Sequence, residues 1–578
     1  MNVLGYRPST PQPRYSGRRW LVLAVMGLGV MTLLGRALYL QLHEREFLLG
    51  QGDARHQRIM PIPAHRGMIV DRNGEPLAIS TPVDSIWANP RETLAAQEHL
   101  PALAALLGVD ADDLAQQLID RASREFVYIK RRVDPGIAER AMALNIPGLN
   151  LQREYRRYFP MGEVASQLLG FTNVDDAGQE GLELAFDEWL SGTPGAKRVI
   201  KDRLGRIVED LERISAASPG KDLRLSLDRR IQYLAYRELK AAVMRHHARS
   251  GSAVVLDPRT GELLAMVNQP SFNPNSRENL SGEATRNRAV TDVLEPGSAV
   301  KPFVVAAAIE SGRYSPRTMI KTSPGWYMVR GHTIQDEHDY GLLNLAGVIR
   351  KSSNVGATKI ALALAPGKLW ESYRRVGFGT VTESGFPGEA AGALSSYQGW
   401  GDFERATLAF GYGLATTPLQ LARAYAAIAA DGVLPAISYV ATGQAQVQDR
   451  VMSVATARRL RWMLEGVVSA GGTAPMASVE GYRIAGKTGT VHKATAGGYA
   501  EDRYVSIFAG MAPASHPALV TVVVIDEPGD GSYFGGQVAA PVFSRIMAGA
   551  LRLLDVRPDD LPRLQADTPE PRVVPNGA

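Results

Sequence analysis

Gly481-Tyr482-Arg483-Ile484-Ala485-Gly486-Lys487-Thr488-Gly489-Thr490-Val491 decides between two folds. Its first eight residues fit the phosphate-loop pattern G-x-x-x-x-G-K-[ST], and Val522-Val523-Val524-Ile525-Asp526-Glu527 resembles the acidic strand that accompanies such a loop. A phosphate loop needs a helix that opens at its lysine, so that free N–H groups face the phosphates. Here Thr490 and Val491 carry extended, β-branched chain onward until Gly497-Gly498 interrupts it, so the stretch reads as a β-strand. Two more strand patterns follow, at 504–511 and 519–525, and an apolar helical pattern at 538–554 closes the region. An antiparallel sheet covered by helices is the economical architecture, and an ATPase is the reading it displaces.

Working back toward the N-terminus, 223–227 alternates like a strand and leads into a helical pattern at 231–244. Strands at 253–256 and 262–267 are joined by Asp257-Pro258-Arg259-Thr260-Gly261, which is turn chemistry. A helix-rich middle follows, with helices expected at 301–310, 345–364 and 419–430. Residues 43–220 mix short extended segments with loops. They open on Gly67-Met68-Ile69-Val70, an Asn73-Gly74 turn and Pro76-Leu77-Ala78-Ile79, a hairpin pattern. Helices are expected at 100–119 and 181–190, before the turn Ser191-Gly192-Thr193-Pro194-Gly195.

The 578 residues exceed one ordinary core, so several domains are expected. Four arginines (Arg7, Arg14, Arg18, Arg19) and no acidic residue precede an apolar run from Trp20 to Leu42. That run can cross the ~30 Å hydrocarbon layer if Arg36 snorkels toward the far interface. Arg36, Leu38 and Tyr39 stand where a signal peptide would be cleaved, which favours a retained anchor. The basic side should stay cytoplasmic by the positive-inside rule, with the rest of the chain outside, on a single pass. The domain layout is therefore 1–19 cytoplasmic tail, 20–42 transmembrane helix, 43–220 non-catalytic domain, 221–556 catalytic domain, and a proline-rich tail at 557–578 expected to be disordered. A net charge of +5 over this length, without a dense basic block, argues against nucleic acid as a partner. The absence of cysteine rules out disulfides, thiolate metal sites and cysteine nucleophiles.

Three short pieces of the second domain carry chemistry: Ser298-Ala299-Val300-Lys301, Ser352-Ser353-Asn354 and Lys487-Thr488-Gly489-Thr490. Glu295-Pro296-Gly297 breaks structure and lets a helix begin near Ser298, so that Lys301, three residues on, projects beside the hydroxyl. Burial and the charge of Lys487 would lower the Lys301 pKa, which is how an amine becomes a base for a serine nucleophile. Alone, Ser298 is more simply a helix cap and Lys301 a solvated lysine, and the Ser352–Asn354 polar break is a helix kink. In this order and company they form a serine acyl-transfer signature. Ser352 can pass a proton to a departing amine, while the Asn354 amide can orient Lys301 and bind substrate backbone. Gly489 lets an extended peptide approach the strand, its terminal carboxylate held by Lys487, Thr488 and Thr490. Backbone N–H groups of Ser298 and Thr490 would form the oxyanion hole.

With these motifs the sequence resembles a class B penicillin-binding protein, of the division-specific FtsI type, nearly end to end. Further matches are Arg66-Gly67 with Asp71-Arg72-Asn73-Gly74, Arg157-Tyr158-Phe159-Pro160 with Gly181-Leu182-Glu183, Arg286-Asn287-Arg288-Ala289, and Gly411-Tyr412-Gly413. The resemblance implies a multidomain α+β protein: a single transmembrane helix, a non-catalytic pedestal of the dimerisation type, and a penicillin-recognising transpeptidase domain like that of serine β-lactamases. It implies that a D-Ala-D-Ala stem peptide acylates Ser298 and that β-lactams trap it. A septal role is implied as well, as are a SEDS-type glycan polymerase and other divisome proteins as partners, and no metal or organic cofactor. By the same analogy Tyr533 and Phe534 wall the pocket. Ala299 and Thr488 stand where the family often has Thr and Ser, and neither change removes a needed group.

Within this class three other readings stay open. A β-lactamase needs a deacylating base, and no Glu-x-x-x-Asn lies between Asn354 and Lys487. A D,D-carboxypeptidase and a silent scaffold are the others, although a scaffold would usually have lost Ser298 or Lys301.

Overall fold

Ser16–Leu42 forms one 27-residue helix. At about 1.5 Å per residue it exceeds the ~30 Å apolar layer, and its most apolar stretch has a mean hydropathy of 2.0. Among the described residues it is the one helix long and apolar enough to cross a membrane. Trp20, Leu28, Leu33 and Leu42 on its surface are all exposed, an arrangement suited to lipid. Arg36 lies over the Tyr39 ring at 5.3 Å and 3.8 Å from Glu44, turned toward the C-terminal end as a snorkelling arginine is. The structure, a computed structural model, describes residues 16–45, 57–201, 207–276, 282–443, 449–495 and 497–561. Arg7, Arg14 and the proline-rich end after Leu561, expected to be disordered, lie outside the described residues.

The rest of the chain folds as two compact units. The first contains 84–154 and 194–218, with a three-stranded antiparallel sheet ordered Gln57–Ile62, Gly195–Lys201, Ile207–Ser215. A small core of Ile86, Leu103, Leu107, Leu118, Val133 and Leu149 holds its helices. The expected helix at 100–119 is two, Leu100–Leu107 and Ala111–Asp120, because Gly108 turns left-handed (φ 63°) and Asp110 caps a new start.

In the second unit, 65–83, 155–193 and the chain from 219 onward fold together. The Asn73-Gly74 hairpin forms as expected, with Ile69 opposite Ala78. Fully buried Asp71 ties its turn by accepting from the backbone N–H of Asn73 (2.8 Å) and Glu75 (2.9 Å). Below it Glu183, 0% exposed, receives Arg66 Nε at 2.8 Å and Arg157 Nε at 2.6 Å. The 181–190 helix is split in two, Gly181–Ala185 and Asp187–Leu190, and this places Asp187 Oδ1 2.7 Å from Arg66. Removing one member of a buried ion group leaves the others desolvated and uncompensated, at about 3–5 kcal/mol. Glu183→Gln is therefore expected to lower the urea midpoint of this unit strongly, and an unchanged midpoint would refute the assignment of the Arg66–Glu183–Arg157 group as a structural lock.

The catalytic-motif region is built of α1 (Arg229–Arg245), β1 (Ser250–Leu256), β2 (Leu263–Gln269), α2 (Lys301–Glu310), α3 (Leu345–Lys351), α4 (Asn354–Ala363), α5 (Pro418–Ala429), α6 (Val454–Val468), β3 (Ala485–Thr495), β4 (Gly498–Ala512), β5 (Leu519–Asp526) and α7 (Gly535–Leu553). The sheet is antiparallel in the order β2-β1-β5-β4-β3. Its register aligns Val254, Val522, Ala509 and Lys487 across four strands. Every residue of β1 is buried, so helices cover both faces, and β3 lies at the edge with one side unpaired.

Candidate active site

The expected helix at 345–364 is broken, and the break builds the site. α3 ends at Ser352, whose φ is +57°, and Ser353 caps α4 by accepting from Gly356 N at 2.8 Å. A left-handed serine costs about 1–2 kcal/mol; here it turns the Ser352 carbonyl and hydroxyl toward the lysine of α2. Ser298 precedes α2 in a short 3₁₀ turn, Gly297–Val300, so Lys301 opens the α-helix proper.

Lys301 is fully buried, and its Nζ donates to Asn354 Oδ1 at 2.7 Å, to Ser352 Oγ at 3.2 Å and to the Ser352 carbonyl. Lys487, also fully buried, reaches the same Ser352 Oγ at 3.0 Å and Thr488 Oγ1 at 3.4 Å. Ser352 thus bridges two amines that are 186 positions apart in the chain (487 − 301). Burial holds the Lys301 pKa well below the usual lysine range, the Lys487 charge lowers it further, and Asp336 opposes both. Burial pushes Lys487 down to about 7. Two buried amines this close disfavour a double positive charge, so one can be a base while the other stays cationic.

The Ser298 turn is seated against β3. A Cβ on Gly297 would come 2.4 Å from Val491 Cγ1, and its φ of +53° is one that glycine adopts without strain, so glycine both makes the turn and leaves room for the Val491 side chain. Gly489 is equally confined, with Pro296 O at 2.7 Å from where its Cβ would be. Gly297 N donates to Gly411 O at 3.2 Å, and Glu295 accepts from Gly413 N at 2.7 Å, which brings Gly411-Tyr412-Gly413 against the turn. Among the described residues the Ser298 hydroxyl makes no hydrogen bond, and Lys301 Nζ donates to Ser352 and Asn354 instead. A nucleophile–base hydrogen bond often tightens only in the complex.

Of the remaining predicted residues, Thr490 and Asn354 adjoin this centre, whereas Tyr533 and Phe534 pack on Tyr504 and on each other. Thr490 Oγ1 accepts from Gly535 N at 2.9 Å, which leaves its own proton to donate. Asn354 Nδ2 donates to Gln335 O at 3.0 Å, so one N–H of the amide remains for a substrate. Tyr533 stacks on Tyr504 at 4.0 Å and Phe534 lies 4.6 Å from Tyr533, both just ahead of Gly535. Sequence reading missed Asp336, which grips the start of α4, and Thr473, whose hydroxyl is 2.9 Å from that of Thr488. Neither belongs to a spaced motif; only contact reveals them.

Comparison with known proteins agrees with this geometry. The profile described as "Penicillin binding protein transpeptidase domain" matches residues 251–548, and "Penicillin-binding Protein dimerisation domain" matches 61–225. The chain belongs to the penicillin-binding protein transpeptidases. It is 44% identical to the probable peptidoglycan D,D-transpeptidase PbpC of Pseudomonas aeruginosa, over 94% of this chain and 96% of that one. It is also 44% identical to the peptidoglycan D,D-transpeptidase FtsI of Escherichia coli K12, over 94% and 93%. The transpeptidase domain of Burkholderia pseudomallei penicillin-binding protein 3 superposes with a TM-score of 0.54 at 46% identity, covering 58% of this chain and 98% of that domain. In this penicillin-binding transpeptidase the strand reading holds from Ala485, three residues later than expected, while 481–484 are turn and irregular chain; the phosphate-loop match is coincidental, since Lys487 lies within β3 with no helix opening there.

Proposed function

We propose that this chain is a peptidoglycan D,D-transpeptidase working through an acyl-enzyme on Ser298, and that it cross-links stem peptides during septal wall synthesis. The observation that carries the reading is the convergence of Lys301, Ser352, Asn354 and Lys487 beside the Ser298 turn. A donor peptide ending in D-Ala-D-Ala adds along the free edge of β3, its carboxylate held by Lys487, Thr488 and Thr490. Upstream residues run toward a cavity of about 440 Å³ beside Val491 and His492. Neutral Lys301 removes the Ser298 proton as Oγ attacks the penultimate carbonyl, and the Ser298 and Thr490 N–H groups receive the oxyanion. Ser352, bridging both amines, returns a proton to the departing D-Ala nitrogen. An acceptor amine then attacks the ester, gives up its proton through the same groups and frees Ser298. A β-lactam follows the first half, but its leaving group stays tethered and the adduct persists.

The helix Ser16–Leu42 provides a single membrane anchor. In this reading Arg18 and Arg19 remain cytoplasmic and the catalytic domain is periplasmic. The limits 43–220 for the pedestal and 221–556 for the transpeptidase, and a SEDS-type glycan polymerase with divisome proteins as partners, belong to the same proposal. The test is intact-mass analysis after exposure to benzylpenicillin, followed by peptide mapping. A persistent one-to-one adduct on the peptide holding Ser298 is expected. Rapid turnover would point to a β-lactamase, and no adduct to a scaffold.

A further inference from the structure

Asp336 stands just after the strand His332–Gln335 and is 6% exposed, although no motif includes it. Its Oδ2 accepts from Ser353 Oγ at 2.6 Å, and its Oδ1 accepts from Val355 N at 2.9 Å and from Asn354 N. Those two N–H groups belong to the first turn of α4 and have no partner within the helix, and a carboxylate there also meets the positive end of the helix dipole. Asp336 therefore grips the chain immediately after Ser352, the residue held at φ +57°, and on Asn354 itself. Both are the partners of Lys301.

We infer that Asp336 is a positioning residue for acyl transfer: its carboxylate locks the Ser352–Asn354 corner against Lys301 and supplies the negative charge that faces the buried amines. The inference rests on the acyl-enzyme reading above. The two amines repel each other in a site from which water is excluded, and a nearby anion offsets that repulsion. Asp336 raises the proton affinity of Lys301 against burial and against Lys487. The other groups that sense Asp336 are Lys359, on α4, and Tyr340, which also faces Glu337. Lys359 donates its amine to Lys321 O (2.7 Å) and lies over the Tyr327 ring. Among these, Asp336 is the carboxylate that both contacts the Ser352–Asn354 corner and acts on Lys301.

A purely structural aspartate and a charge-supplying one differ in their pH profiles. Acylation of the full-length, detergent-solubilised protein by benzylpenicillin would be followed from pH 5 to 9 for wild type, Asp336→Asn and Asp336→Glu, with thermal melts alongside. Asp336→Asn keeps an acceptor for Val355 N but drops the charge. It is expected to lower the optimum rate about tenfold and to move the acid limb at least about half a unit to lower pH, because Lys301 then loses its proton more easily. Asp336→Glu keeps the charge and disturbs the fit; its limbs should stay in place while the rate falls. A folded Asp336→Asn with a wild-type rate and profile would overturn the inference, as would limbs in Asp336→Glu that shift as those of the asparagine variant do. If Asp336→Asn does not fold, Asp336→Glu decides alone. Absence of acylation in the wild type would instead overturn the acyl-enzyme reading on which this rests.

Discussion

Lys301→Met is expected to reduce the acylation of Ser298 by at least about 10³-fold while the protein melts no lower than wild type. The loss follows from removing the base: positioned proton transfer contributes about 10²–10⁴, and the Asn354 and Ser352 contacts that aim the amine go with it. The stability side has the opposite sign. An amine whose folded pKa lies below its unfolded value costs folding free energy below about pH 10.5, at about 1.4 kcal/mol per unit of depression. That cost grows as pH falls toward the folded pKa and is constant below it. Methionine has similar length and no charge to desolvate. Against this gain stand the Ser352 carbonyl and the Asn354 carbonyl oxygen, each left short of a donor at about 1–3 kcal/mol. The two terms have opposite signs, and the melt is expected to hold. Stopped-flow acylation and a melt at pH 8 read both. A variant that acylates within tenfold of wild type would remove Lys301 from the role of base, and one that melts far lower would show the amine to be structural.

The same buried amine explains what the sequence could and could not disclose. β3 was legible because the β-branched Thr488, Thr490 and Val491 continue extended chain with no helical period, and because the turn glycines 497 and 498 follow. α2 was legible because Glu295-Pro296-Gly297 must stop whatever precedes it. At 352–354 the polar interruption of the 345–364 pattern was legible as a kink or cap, but the left-handed turn at Ser352 was not, since only tertiary hydrogen bonds favour it. Likewise Gly108 reads as a tolerated helical glycine until its φ is known. Local pattern gives element type; it does not state which side chains meet. The convergence of Lys301 with Lys487 depends on the turn before α2 packing against the edge strand, and Asp336 acts through a contact no spacing rule describes.

Lys487 yields the second large effect, on the opposite side of the pH profile. Its pKa is about 7 in the protein without substrate. A lysine above its pKa is neutral, so the carboxylate anchor is lost as pH rises through that value. For a donor peptide with a free C-terminal carboxylate, kcat/KM for acylation should therefore fall about tenfold per unit above roughly pH 7, because kcat/KM reports groups of the free enzyme. Once bound, the carboxylate holds the proton on Lys487, and the corresponding limb in kcat should lie at higher pH. Lys487→Met removes the anchor at every pH. Losing one partner of a buried charged pair costs about 2–5 kcal/mol, so kcat/KM at neutrality should drop about 10²–10³-fold, mainly through KM. A donor whose C-terminal carboxylate is amidated provides the control, since it cannot use the ammonium. Its kcat/KM should be low, free of the alkaline limb, and little changed by Lys487→Met. If the amidated donor keeps the limb, the group titrating there is not the carboxylate anchor. In that case Lys487 acts on Lys301 through Ser352, and the division of labour between the two amines has to be reversed.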